Sequence, residues 1–330
     1  MKRLLWVVLF LLASGGGIMW YLFWGPQKTN TVLSPILEII NRPLDTYTID
    51  NLTKRGGKSS PIVFDQAVAT ESAYTEYTFH YESAGKKVTG LAHVPNDESI
   101  TSRKPVIIQI RGFVDHAIYE PGVGTKHSAE VFAKNGYISL APDYLGYGGS
   151  DNPSADVFEE RFETYTATLD LLASLPSLPM ADPSHVGIWA HSNGGQIALT
   201  VLEITKAPYP TVLWAPVTRI FPYSILYYTD EADDHGKLLR KELSKFESLY
   251  DTDLYAMTNY IDRITAPIQL HQGTADDAVP VKWSNEFVEA LKAKNISVEY
   301  FVYPGSDHNL QPAWNTVMQR DLEFFRTRLK

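Results

Sequence analysis

Six runs of this chain, residues 106–110, 137–141, 186–190, 212–215, 268–271 and 298–303, read as mainly apolar rather than half-polar surface strands. Strands of that kind are buried on both faces, which only a sheet covered on both sides provides. Helical patterns lie between or after them, at 127–134, 157–175, 196–205, 283–294 and 313–329. Two further β-rich runs, 74–82 and 88–95, flank Ser83-Ala84-Gly85-Lys86 and read as an antiparallel hairpin that opens the sheet. The expected fold class is α/β: one mostly parallel sheet with helices on both faces.

Around that body the chain divides into expected parts. Lys2 and Arg3 precede an uncharged run over residues 4–24, which as a helix reaches about 31 Å at about 1.5 Å per residue, the thickness of a bilayer core. The run passes a small-residue site at Ala13-Ser14-Gly15 and ends in an aromatic cluster. This favours a retained N-terminal transmembrane helix over residues 1–25, with the body extracytoplasmic; secretion after signal cleavage is the alternative. Residues 26–73 have no sustained period and several breakers, and read as a linker and irregular lead-in. A catalytic domain is expected over 74–330, interrupted at 218–262 by an aromatic and acidic insertion that could cap the strand ends, where sheets of this type bind ligands.

The run 186–190 passes into His191-Ser192-Asn193-Gly194-Gly195 and then into a helix. A serine at such a strand–turn–helix apex stands at a helix N-terminus, where backbone donors and the helix dipole favour developing negative charge. Its hydroxyl needs a base, and the base needs an orienting group. Both follow in order: Asp276 lies 84 residues after Ser192, and His308 a further 32. Each sits just past an expected strand end, so the three can converge on one side of the sheet. The assignment is Ser192 as nucleophile, His308 as general base and then acid, and Asp276 as the orienting carboxylate. Asp277 competes with its neighbour for the last role, and Asp276 is favoured by its place in the turn. His191 is expected to brace the turn.

Residues 186–195, 271–280 and Gly305-Ser306-Asp307-His308, with Ala141-Pro142-Asp143-Tyr144-Leu145-Gly146-Tyr147-Gly148-Gly149-Ser150, together resemble the catalytic domain of the prolyl oligopeptidase family of α/β-hydrolases. The resemblance covers about Tyr74 to the C-terminus, without the propeller of the large peptidases. It implies the α/β-hydrolase fold and supports Asp276 as the triad acid. It also implies an oxyanion hole built from the backbone N–H groups of Asn193 and Phe113. Two positions depart from the family pattern: Ala190 stands where glycine is usual, and Arg111 where similar hydrolases often carry histidine. Arg111 reads as a loop anchor or ion pair, with Asp143 or Asp115 as partner.

The function expected is that of a serine hydrolase cleaving an ester or amide through an acyl-enzyme, as a prolyl-oligopeptidase-like peptidase or a carboxylesterase. Its substrate would be a small acyl ester or short peptide. The competing expectation is a catalytically silent α/β-hydrolase scaffold that binds a ligand or partner at the cell surface. Neither needs a cofactor or metal; the histidines are scattered and no H-E-x-x-H occurs. A formal charge of −9, from 29 basic and 38 acidic residues, speaks against nucleic acid as a partner. The absence of cysteine excludes disulfides and thiolate chemistry.

Overall fold

A computed structural model describes residues 41–96 and 103–329. The expected membrane segment lies outside the described residues; among those described, no helix is long and apolar enough to cross a membrane. One nine-stranded sheet organises the body: β1 (Val63–Thr70), β2 (Tyr74–Ser83), β3 (Lys86–Pro95), β4 (Lys104–Ile110), β5 (Ile138–Pro142), β6 (Ala181–His191), β7 (Thr211–Trp214), β8 (Ile268–Gly273) and β9 (Val298–Tyr303). The spatial order is β1-β2-β3-β5-β4-β6-β7-β8-β9. The first three strands and the β3/β5 pair are antiparallel, and β4 to β9 are mutually parallel. Because the chain steps from β4 to β5 on one side and then crosses to β6 on the other, the sheet has a switch point at the carboxyl end of β4.

The helices are α1 (Ile49–Arg55), α2 (Lys126–Lys134), α3 (Val157–Ser174), α4 (Asn193–Thr205), α5 (Tyr223–Leu226), α6 (Lys237–Leu249), α7 (Val281–Ala293) and α8 (Trp314–Arg328). The inner strands feed two separate cores, which is why they read as mainly apolar. On β4, Val106, Ile108 and Ile110 point into the core shared with α3, α4 and α7, while Ile107 joins Phe132 of α2 and Phe325 of α8 on the other face. α3 starts where the Asp156 carboxylate accepts from the N–H groups of Phe158 and Glu159. It then buries Phe158, Phe162, Tyr165, Leu169 and Leu172, a spacing of three and four that keeps one face inward.

The lead-in is not irregular throughout. α1 and β1 form within it, and Leu44, Ile49 and Leu52 enter the main core. Arg55 also makes a two-pronged bond to the buried Asp170 of α3, 2.8 Å on each arm. The packed body thus includes residues from Pro43 onwards, not only from Tyr74. β1 is an edge strand whose residues are mostly exposed on both faces, so it carries no alternation to detect. The insertion at 218–262 contributes α5, α6 and several 3-10 turns. Its Phe221, Phe246 and Tyr255 pack against Phe158 and Phe162 of α3, with ring centroids 4.9 Å apart for Phe158–Phe246 and 5.1 Å for Phe162–Tyr255. These three aromatics are core and buttress α3, whereas Tyr223 and Tyr227 of the same insertion are exposed and pack against Trp283 of α7.

Candidate active site

Ser192 follows β6 and caps α4 with φ 56° and ψ −124°. A non-glycine residue rarely holds positive φ, and here neighbouring bonds fix it. The Ser192 N–H donates to Trp214 O at 2.9 Å, and the Ser192 carbonyl accepts from the Gly195 and Val217 N–H groups at 2.9 and 3.0 Å. Small residues follow because the turn is packed against main chain. A Cβ on Gly194 would overlap the Ile110 carbonyl and stand 2.6 Å from Arg111 O, and one on Gly195 would lie 3.0 Å from Pro216 Cα.

Asp276 and His308 meet as expected from their places beyond β8 and β9. His308 Nδ1 lies 3.0 Å from both carboxylate oxygens of Asp276. The Asp276 side chain is fully buried and also accepts from the N–H groups of Ala278 and Val279, at 3.0 and 2.8 Å. Burial alone would raise its pKa; the hydrogen bonds and charge of its partners outweigh that, and the net shift is downward. Asp277 is exposed and makes no contact with His308 among the described residues. The expected bond between serine and histidine is absent: the Ser192 hydroxyl has no hydrogen-bond partner among the described residues. His191 nonetheless docks the His308 loop against the nucleophile turn, its Nε2 lying 3.0 Å from His308 O and the two rings 4.6 Å apart. Burial and the neighbouring His308 push the His191 pKa down to about 4, so it donates to that carbonyl as a neutral ring.

Gln272 belongs to this site although its sequence position gave no reason to single it out. It is buried in β8, donates to Asp276 Oδ2 at 2.8 Å, and accepts from the Ser284 hydroxyl of α7 at 2.7 Å. A third polar residue, after Gln269 and His271, in a strand buried along its whole length was the available signal. On the opposite face, the buried carboxylate of Asp321 on α8 accepts from the indoles of Trp189 and Trp214, at 3.2 and 2.9 Å. It also lies 3.0 Å from His271 Nε2.

The two expected oxyanion donors line one cleft of about 290 Å³ at the switch point, together with Arg111, Gly112, Tyr144 and Tyr147. None of its lining residues comes from 218–262; the insertion instead reaches the loop after β8, where the Tyr228 hydroxyl donates to Ala278 O at 3.1 Å. A Cβ on Gly112 would lie 2.8 Å from Ser192 Cβ and 3.4 Å from its Oγ, which puts the Gly112–Phe113 peptide against the nucleophile. Among the described residues, neither the Phe113 nor the Asn193 N–H is spent on a protein acceptor. Arg111 is buried and bonds main chain rather than a carboxylate: it donates to Gly112 O and Asp143 O, each at 2.9 Å. It is the loop anchor of the two expected alternatives. No group of three or more potential metal-binding side chains occurs among the described residues.

A family model described as the prolyl oligopeptidase family matches residues 123–330. Dipeptidyl peptidase family member 6 of Caenorhabditis elegans is 28% identical over 159 residues, covering 46% of this chain but only 21% of that protein. Uncharacterized peptidase YtmA of Bacillus subtilis is 24% identical over 251 residues, 74% of this chain and 91% of that one. Among solved structures, the acetyl xylan esterase of Paenibacillus sp. R4 superposes with a TM-score of 0.65 at 19% identity, covering 87% of this chain and 96% of its own.

Proposed function

The chain belongs to the prolyl oligopeptidase family, and we propose that it is a serine hydrolase that cleaves small acyl esters or short peptides through an acyl-enzyme on Ser192. In this reading His308 removes the Ser192 proton as the hydroxyl attacks the substrate carbonyl. The tetrahedral oxyanion is held by the N–H groups of Asn193 and Phe113. Asp276 keeps the His308 proton on Nδ1, leaving Nε2 to act as base, and stabilises the imidazolium that forms. His308 then returns the proton to the leaving alcohol or amine, and water repeats the sequence to release the acid.

The observation that carries this reading is the strained turn at Ser192 beside the loops that pair a buried Asp276 with a partly exposed His308, with two backbone donors left free, among the described residues, on the adjoining cleft wall. The missing Ser192–His308 bond does not weigh against it, since such contacts are often loose without substrate. The same reading keeps the catalytic body at the outer face of a membrane, anchored through residues 4–24, or free outside the cell after cleavage. Its support is the uncharged run behind Lys2 and Arg3.

Fluorophosphonate labelling of the full chain, followed by peptide mapping, tests the assignment. The adduct is expected on Ser192 and is expected to vanish in Ser192→Ala without loss of the folded state. Labelling that persists in Ser192→Ala overturns this nucleophile, and a folded wild-type protein that takes no label favours the silent scaffold.

A further inference from the structure

We propose that Arg111 is the positioning residue of the oxyanion hole: its guanidinium fixes the plane of the Gly112–Phe113 peptide and so aims the Phe113 N–H at the reacting carbonyl. The inference rests on the proposed role of Ser192. In a trans peptide the carbonyl and the following N–H point in opposite directions. Holding one therefore sets the other. Arg111 Nη1 holds the Gly112 carbonyl at 2.9 Å, so the Phe113 N–H is directed away from the guanidinium, and this peptide stands against Ser192.

The guanidinium can serve as a fixed reference because it is itself pinned. Nη2 donates to Asp143 O at the end of β5, 2.9 Å away, which ties the loop after β4 to the neighbouring strand. The rings of Tyr147 and Tyr119 lie 4.1 and 4.7 Å from the guanidinium carbon. Each ring is anchored in turn: the Tyr147 hydroxyl donates to Val114 O at 2.9 Å, and the Tyr119 hydroxyl to Asp143 Oδ1 at 2.5 Å. A planar fork resting against two anchored aromatic rings can grip two carbonyls at a set angle; a lysine ammonium, a point charge on a flexible stem, cannot. Phe113 itself is 78% exposed, so no packing of its side chain orients the peptide.

The test compares Arg111→Met and Arg111→Lys with wild type for hydrolysis of a short acyl ester, and for binding of a trifluoromethyl ketone and of the carboxylate product. Loss of an oxyanion donor costs about 10²–10³ in kcat, and a donor misaimed rather than removed is expected to cost about 10- to 100-fold in Arg111→Met. KM and product affinity should stay near wild type, because the interaction is made only with the oxyanion. Ketone affinity should fall in step with kcat. Arg111→Lys keeps the charge beside Asp143 and carries the test if the methionine variant does not fold; it too should lose kcat and ketone affinity. An unchanged kcat in the folded variants, or product affinity falling as far as ketone affinity, overturns the proposal while leaving Ser192 in place. If wild type shows no Ser192 adduct, the parent reading and this one fall together.

Discussion

Gly194 stands two residues after the proposed nucleophile and faces the end of β4. A Cβ there would overlap the Ile110 carbonyl oxygen and lie 2.6 Å from that of Arg111, whereas C···O contacts settle at about 3.3–3.6 Å. Both obstructing groups are main chain, so no side chain can swing aside. Gly194→Ala must part the start of α4 from the end of β4 by on the order of 1 Å. Overpacking of this kind costs about 1–3 kcal/mol. At about 2–4 °C per kcal/mol for larger domains, Tm should fall by roughly 2–12 °C. The functional loss should be larger in proportion, because the parted segments carry the Asn193 and Phe113 N–H groups, and a misplacement of about 1 Å can cost about 10²-fold in rate. The assay pairs thermal melting with the rate of fluorophosphonate labelling. Gly136→Ala is the control: that glycine has φ +88° with nothing within 4 Å of an added Cβ. Its alanine variant should lose about 1–2 kcal/mol from the backbone alone and label normally. A Gly194→Ala protein that labels at the wild-type rate refutes the geometry of the nucleophile turn.

Asp276→Asn should leave the fold intact and lower kcat by about 10⁴, because the amide cannot hold the His308 proton on Nδ1; single-turnover ester hydrolysis checks this. Glu203 of α4 is fully buried, and neither carboxylate oxygen has a hydrogen-bond partner among the described residues. Burial raises its pKa well above the ordinary glutamate value, so the folded state holds the proton more tightly than the unfolded state. Stability should therefore decline as pH rises above about 4.5 towards the folded pKa. Glu203→Met should remove that slope and add about 1–3 kcal/mol at neutral pH, read from urea unfolding at pH 5 and pH 8. A variant no more stable than wild type at pH 8 would contradict this account of Glu203.

What the sequence made legible was governed by burial. The strands from β4 to β9 announce themselves because two cores press on them, and the helix pattern of α3 because one face is inward. β1 was invisible because an edge strand exposed on both faces needs no pattern. Ser192, Asp276 and His308 could be picked out because each follows a strand end, and chain order plus strand ends is information a sequence carries. Arg111 could be noticed as a departure but not explained, since one of the carbonyls it grips belongs to Asp143, just past the end of β5. Gln272 was missed for a related reason: its partners, Asp276 and Ser284, meet it only when the loop after β8 folds back and α7 packs.

Register is what turns these strand ends into one site. Ser192 follows Trp189 by three residues, while Asp276 and His308 each follow His271 and Tyr303 by five. Those earlier residues all face the α8 core. There Trp189 and Trp214 donate to Asp321, His271 lies 3.0 Å from Asp321, and Tyr303 Oη lies 2.8 Å from His271 Nδ1. A slip of one residue in any of β6, β7, β8 or β9 would turn its member of this network to the opposite face. A buried carboxylate left without those partners would carry the full cost of desolvation. The correct register is thereby separated from its neighbours by the loss of a charge-assisted bond as well as by apolar packing. On the other face of the same strand, Gln272 points towards Asp276 because His271 points towards Asp321. The two-residue period of β8 thus joins the polar network that fixes the strands to the polar contacts that hold the acid of the proposed triad.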